Sequence, residues 1–129
     1  MKEVNVVWLK RDLRLSDHKP LRLAVENGKP FIILYAFEPL YYCHSDFDIR
    51  HAQFIWQSLT DLKKEVPITI AHSDIIHIFD LLQSEFLIHN IYSYQETGLE
   101  HTYKRDLEFQ EYCQCNGLNW IECQQNGVI

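Results

Sequence analysis

Val4-Asn5-Val6-Val7-Trp8-Leu9 runs straight into Lys10-Arg11-Asp12-Leu13-Arg14-Leu15-Ser16-Asp17, and the reading of the whole chain turns on this junction. A short, largely apolar run rich in β-branched residues reads as a strand buried on both faces, as in a parallel sheet. Ligands of open α/β sheets gather beyond the carboxyl ends of such strands. A buried strand that delivers Lys10, Arg11, Asp12 and Arg14 at that edge is therefore organised to hold something anionic or to lock a neighbouring domain. The plainer reading of a charge run is a solvated turn. Arg11 and Arg14 flanking Asp12 add something sharper, two planar forks suited to bidentate pairing with carboxylates of another segment.

Outward from this junction the same alternation continues. Strands are read at Val4 to Leu9, Phe31 to Phe37, Ile68 to His72, Ile91 to Tyr94 and Leu118 to Cys123, with a helical pattern in each interval. The first helix covers about Asp17 to Asn27, with Pro20 in its opening turn and Gly28 as the left-handed residue that stops it. The second, about Asp48 to Glu65, carries Ile55, Leu59, Leu62 and Val66 on one face. Ser73 is expected to cap the third, with Ile75, Ile78, Phe79, Leu82 and Phe86 as its stripe. The fourth runs from about Glu100 to Asn116 and ends at Gly117; Tyr103 and Leu107 are its expected anchors. Strands alternating with helices argue for βαβ units. Right-handed crossovers then favour a three-layer α/β/α sandwich, a Rossmann-like parallel sheet of five strands in the order 3-2-1-4-5.

The chain has 129 residues, 47% hydrophobic and 13% aromatic, enough to bury one core and expected to form one domain over 1–129. No apolar run approaches the roughly 20 residues that span a bilayer, and Met1-Lys2-Glu3 does not open a signal peptide, so the chain reads as cytosolic. Net charge is −6, yet residues 1–30 hold seven Lys/Arg against four Asp/Glu. The remainder is strongly acidic and repels phosphates, which makes this domain a poor grip for nucleic acid. Cys43, Cys113, Cys115 and Cys123 match neither a secreted disulfide framework nor a paired zinc motif, and free thiols are expected. The histidines offer no i, i+4 pair with a carboxylate, so no metal site is expected, and no catalytic residue is assigned. Trp8, Trp56 and Trp120 read as core or interface residues.

Glycines occur only at Gly28, Gly98, Gly117 and Gly127, so neither a dinucleotide fingerprint nor a Walker loop follows the first strand. The long connection from Glu38 to Asp48 holds Leu40, Tyr41, Tyr42 and Phe47, apolar residues in a loop that call for a cover: a ligand, a second domain or, in an isolated domain, a second copy in a homodimer. A phospho-receiver domain would need an acidic pair after the first strand and a phosphorylatable Asp after the third. Lys10 and His72-Ser73-Asp74 stand there instead. A stand-alone nucleotide-binding or stress-type α/β module has similar architecture and remains the alternative reading.

Trp8-Leu9-Lys10-Arg11-Asp12-Leu13-Arg14-Leu15-Ser16-Asp17 resembles the opening signature of DNA photolyases and cryptochromes, with Leu9 and Lys10 as mild departures and His18 in place of the usual Asn. Further likenesses follow in order. Asp46-Phe47-Asp48-Ile49-Arg50-His51 through Phe54, Ser58 and Leu59, then Glu96-Thr97-Gly98, Thr102-Tyr103-Lys104-Arg105-Asp106 and Gln125-Asn126-Gly127-Val128, are similar to segments of a bacterial branch of that family. The resemblance implies the N-terminal α/β domain of a flavoprotein whose parent chain is a deoxyribodipyrimidine photolyase, a lyase acting in DNA repair, or a blue-light receptor. It places FAD and DNA contact in a C-terminal helical domain absent from these residues, against which this domain packs. The chain is then an excised domain or a natural stand-alone relative.

The resemblance also implies a folate or deazaflavin antenna chromophore in the crevice facing the helical domain. Arg11, Phe37, Arg50 and Glu96 match that crevice. Arginine forks suit an anionic side chain, Phe37 a flat ring, and Glu96 the donor edge of a pterin. Structural roles stay open beside these: Arg11 and Arg50 can pair with Asp12, Asp46 or Asp48, and Phe37 can belong to the core.

Overall fold

A computed structural model describes residues 1–10, 12–39, 49–96 and 100–124, with the backbone alone at 49–52, 100 and 101. In chain order the elements are β1 (Lys2–Leu9), α1 (Lys19–Asn27), β2 (Phe31–Ala36), α2 (Ile49–Lys63), β3 (Thr69–Ala71), α3 (Ile75–Gln83), β4 (Phe86–Tyr94), α4 (Glu100–Asn116) and β5 (Asn119–Cys123). The strands form one five-stranded sheet in the order β3-β2-β1-β4-β5, every neighbouring pair parallel. The expected architecture is the one observed.

The sheet is apolar on both faces. Val4, Val6 and Trp8 of β1 pack with Ile75, Ile78 and Phe79 of α3 and Phe109 and Cys113 of α4. Val7 and Leu9 turn the other way, to Ala24 of α1 and Leu59 of α2. Alternate residues of one strand thus feed two cores, and β1, fully covered on both sides, is the centre of the domain. Trp8, 1% exposed, meets Phe109 edge-on at 5.2 Å, and Phe109 in turn meets Trp120 at 4.9 Å and Phe79 at 5.1 Å.

The pairing of β1 with β4 is not continuous. Val4 pairs with Ile88 and Val6 with Ile91, so β4 carries an extra residue opposite Asn5. Asn5 is fully buried there; its Oδ1 accepts the Asn90 N–H at 3.0 Å and its Nδ2 donates to Asn27 Oδ1 at 3.0 Å.

Three local expectations are corrected. Asp74, not Ser73, caps α3, its Oδ1 accepting the His77 N–H at 2.9 Å. Phe86 belongs to the start of β4 rather than to the α3 stripe, because α3 stops at Gln83 and the strand begins five residues before Ile91. Tyr103 and Leu107 are 65% and 48% exposed; α4 instead turns Thr102, Arg105, Phe109 and Cys113 inward. Trp56 is 53% exposed, so of the three tryptophans it is the one outside the core. Gly28 and Gly117 end α1 and α4 with φ of 84° and 69°, conformations that favour glycine.

Candidate functional site: the carboxyl edge of the sheet

The strand order reverses direction at β1, which makes the crevice beyond its carboxyl end, between β2 and β4, the natural ligand position of the fold. The chain leaves β1 there through Lys10. The Lys10 ammonium does not reach into solvent. It turns back over the Trp8 ring at 4.4 Å and the Trp120 ring at 5.3 Å, and pairs with Asp106 Oδ2 at 3.4 Å. Burial outweighs its carboxylate neighbours and draws its pKa below the ordinary lysine value.

Asp12 is buried too. Its Oδ1 accepts the Lys10 N–H at 3.0 Å, and its Oδ2 is bonded to His18 Nε2. His18 caps α1 at the same time, its Nδ1 accepting the Leu21 N–H at 3.1 Å. Nδ1 therefore holds a lone pair, and Nε2 carries the proton that it donates to Asp12. The turn after β1 is thus welded to the start of α1 by a neutral imidazole. Tyr94, at the end of β4, stands edge-on to that ring at 5.0 Å and its hydroxyl accepts the Lys19 N–H at 3.0 Å.

Arg105 is the hub of the crevice. Its Nη1 donates to Glu38 Oε1 at 2.7 Å and its Nη2 to Glu96 Oε1 at 3.0 Å, while Nε and Nη2 both reach Asp106 Oδ1, at 3.1 and 3.0 Å. The guanidinium lies over Trp8, its central carbon 5.0 Å from the ring centroid. Glu38 completes the junction by accepting the Ile75 N–H at the start of α3, 3.3 Å away. Desolvation pushes the Glu38 carboxyl above its usual range despite the guanidinium beside it. Glu122, nearby on β5, is raised for the same first reason.

The residues expected to line a chromophore crevice fall as follows. Glu96 lies in this cluster, its carboxylate held by Arg105. Phe37 is 7% exposed, just past β2, where its N–H extends the ladder to the Ala71 carbonyl at 2.7 Å. Its ring is stacked on exposed His72 at 5.0 Å, and the Trp56 ring is 6.1 Å away. Arg50 is in the first turn of α2, with its side chain outside the described residues, as are Arg11, Thr97 and Gly98, the apolar loop residues Leu40, Tyr41, Tyr42 and Phe47, and Gln125 to Val128. Arg105 pairs with carboxylates of two other segments, Glu38 and Glu96, whereas Arg14 is exposed, over the Tyr94 ring at 5.7 Å.

Among the described residues no group of three or more His, Cys, Asp or Glu side chains could hold a metal ion, and no helix is long and apolar enough to cross a membrane. Cys113, Cys115 and Cys123 are free thiols. The described part of the crevice does not fit the pyrophosphate of a flavin dinucleotide. Gly28 and Gly117 end helices at the opposite edge of the sheet, and Glu38, Glu96 and Asp106 would repel phosphate oxygens.

Fold and crevice define an open, doubly wound α/β domain with its switch point at β1. The chain belongs to the DNA photolyase family, whose description matches residues 5–129, and corresponds to that family's N-terminal α/β domain. It is 27% identical over 110 residues to the chloroplastic/mitochondrial cryptochrome DASH of Solanum lycopersicum, covering 77% of this chain and 19% of that protein. It is 30% identical over 66 residues to the cryptochrome DASH of Gloeobacter violaceus, covering 47% of this chain and 13% of that protein. Among solved structures, a bacterial class III photolyase from Agrobacterium tumefaciens superposes with a TM-score of 0.74 at 24% identity, covering 96% of this chain and 26% of that one. A cryptochrome from Synechocystis gives 0.81 at 18% identity, covering 95% and 27%. The chain therefore spans about a quarter or less of the length of these relatives.

Proposed function

We propose that this chain serves as the antenna-type α/β domain of a light-driven flavoprotein, packing on a helical domain that holds FAD. The match of residues 5–129 to the DNA photolyase family carries this reading. In it, the parent protein is a pyrimidine-dimer photolyase or a blue-light receptor, DNA is contacted only through the helical domain, and the setting is cytoplasmic. The chain itself has no catalytic role. A folate or deazaflavin chromophore would occupy the carboxyl-edge crevice against Phe37, with Arg11, Arg50 and Glu96 as its polar contacts. Taken alone, the domain can pair with a second copy through the Tyr41, Tyr42 and Phe47 segment.

Phosphate-bearing ligands are disfavoured by the carboxylates at the switch point, which argues against the rival nucleotide-binding module. Titration of the purified chain with a reduced folate and with a deazaflavin tests the reading. Trp56, exposed and close to Phe37, should report binding by quenching of its emission, and Trp56→Phe should remove that signal. No quenching by either compound, together with a melting-temperature rise in ATP or AMP, would favour the nucleotide module instead.

A further inference from the structure

The first half of α4 has inverted polarity for a helix lying on a sheet. Among its described side chains, Thr102, Arg105 and Asp106 face inward, whereas Tyr103 and Leu107 lie outside. Among the described side chains of α4, apolar anchorage begins at Phe109 and Cys113. The ion pairs described for the first half run from Arg105 to Glu38 beyond β2 and to Glu96 beyond β4, and from Asp106 to Lys10 at the end of β1.

The two halves are held by forces of different net worth. Burying Phe109 among Trp8, Phe79 and Trp120 removes apolar surface from water at little opposing cost. Buried ion pairs recover most of their Coulomb attraction only after the desolvation of each charge has been met, and the net is small. The lowered Lys10 and raised Glu38 pKa values, each governed first by burial, have the sign this balance requires.

We propose that Arg105 is the bolt of an electrostatic latch: the first half of α4 opens and closes on the sheet edge as a unit, about a hinge just before Phe109. Closed, it covers the Trp8 indole and engages the Glu38 and Glu96 carboxylates. Open, it presents an aromatic face flanked by two acids at the switch-point crevice. The latch thereby gates the crevice, whichever ligand the crevice takes.

Native-state hydrogen exchange on the whole chain tests this. In the unsubstituted protein, amides of residues 105–108 should exchange through an opening with little denaturant dependence, about tenfold or more faster than those of 110–116 and of β1. Arg105→Gln should speed exchange at 105–108 by a further tenfold or so while 110–116 stay unchanged, and Arg105→Lys should fall between. The latch is overturned if both halves of α4 exchange together in the unsubstituted protein. It is equally overturned if Arg105→Gln loosens both halves alike or leaves 105–108 unaffected. The unsubstituted measurement stands by itself should the Gln variant fail to fold.

Discussion

Glu38 and Arg105, 67 positions apart in the chain, meet through a 2.7 Å contact between Oε1 and Nη1, and the other Glu38 oxygen takes the Ile75 N–H. One buried carboxylate thus joins the end of β2, the start of α3 and the first half of α4. Its pKa is raised, burial being the largest cause. The folded state therefore binds the Glu38 proton more readily than the unfolded chain, and this group's contribution to stability is present at low pH and lost as pH rises from about 4.5 through the folded value. Glu38→Gln keeps the acceptor for Ile75 and removes the titration. Its stability should match the parent chain near pH 4 and equal or exceed it at pH 7, in urea melts across that range; a variant much weaker at pH 7 would show that the ion pair outweighs desolvation.

Lys10 and Asp106 are unequal partners. Lys10→Met keeps the stem against Trp8 and Trp120 and relieves a buried ammonium, so stability should stay within about 1 kcal/mol of the parent. Asp106→Ala leaves that ammonium without its nearest carboxylate and should cost about 3 kcal/mol. A double-mutant cycle by chemical denaturation should recover the part of that loss due to the unpaired ammonium and leave the part due to the Arg105 contacts of Asp106.

Asn5 has no apolar substitute. Asn5→Val would suit a central strand by propensity, yet it strands the Asn90 N–H and removes the Asn27 contact. A loss of roughly 1–3 kcal/mol is expected, seen as a lower urea midpoint at unchanged slope.

His18→Ala removes the α1 cap and the Asp12 partner together and should cost about 2 kcal/mol. His18→Asn restores a good capping side chain and should recover about half of that, as read from thermal melts. Equal losses in both variants would mean that the cap contributes little.

The layers and strand order were legible because β1, β2 and the stripes of α2 and α3 repeat apolar residues at strand or helix spacing. The onset of β4 was not: Phe86-Leu87-Ile88 follows α3 so closely that a short apolar run reads equally as helix. At the crevice, the charge cluster after Leu9 lies at the carboxyl end of β1, the switch point of the sheet. Its architecture was hidden, because Arg105 finds Glu38 across two βα units, a pairing without any local period. Thr102 to Asp106 carries a likeness to a family segment, and its inward polar face is what no hydropathy pattern announces. Phe37 and Glu96 lie at the expected edge, one in an aromatic stack and the other in the arginine cluster.

The extra residue of β4 opposite Asn5 also sets the phase of everything downstream. Ile88 and Ile91 lie in the same core although three apart, a spacing that an unbroken strand would send to opposite layers. Tyr92 consequently reaches the α1 and α2 side, and Tyr94 meets His18 and Lys19. Deleting His89 or Asn90 would leave Ile88 and Ile91 two apart, the same-face spacing of an unbroken strand, so the layers downstream would keep their phase while the irregularity that seats Asn5 would be lost.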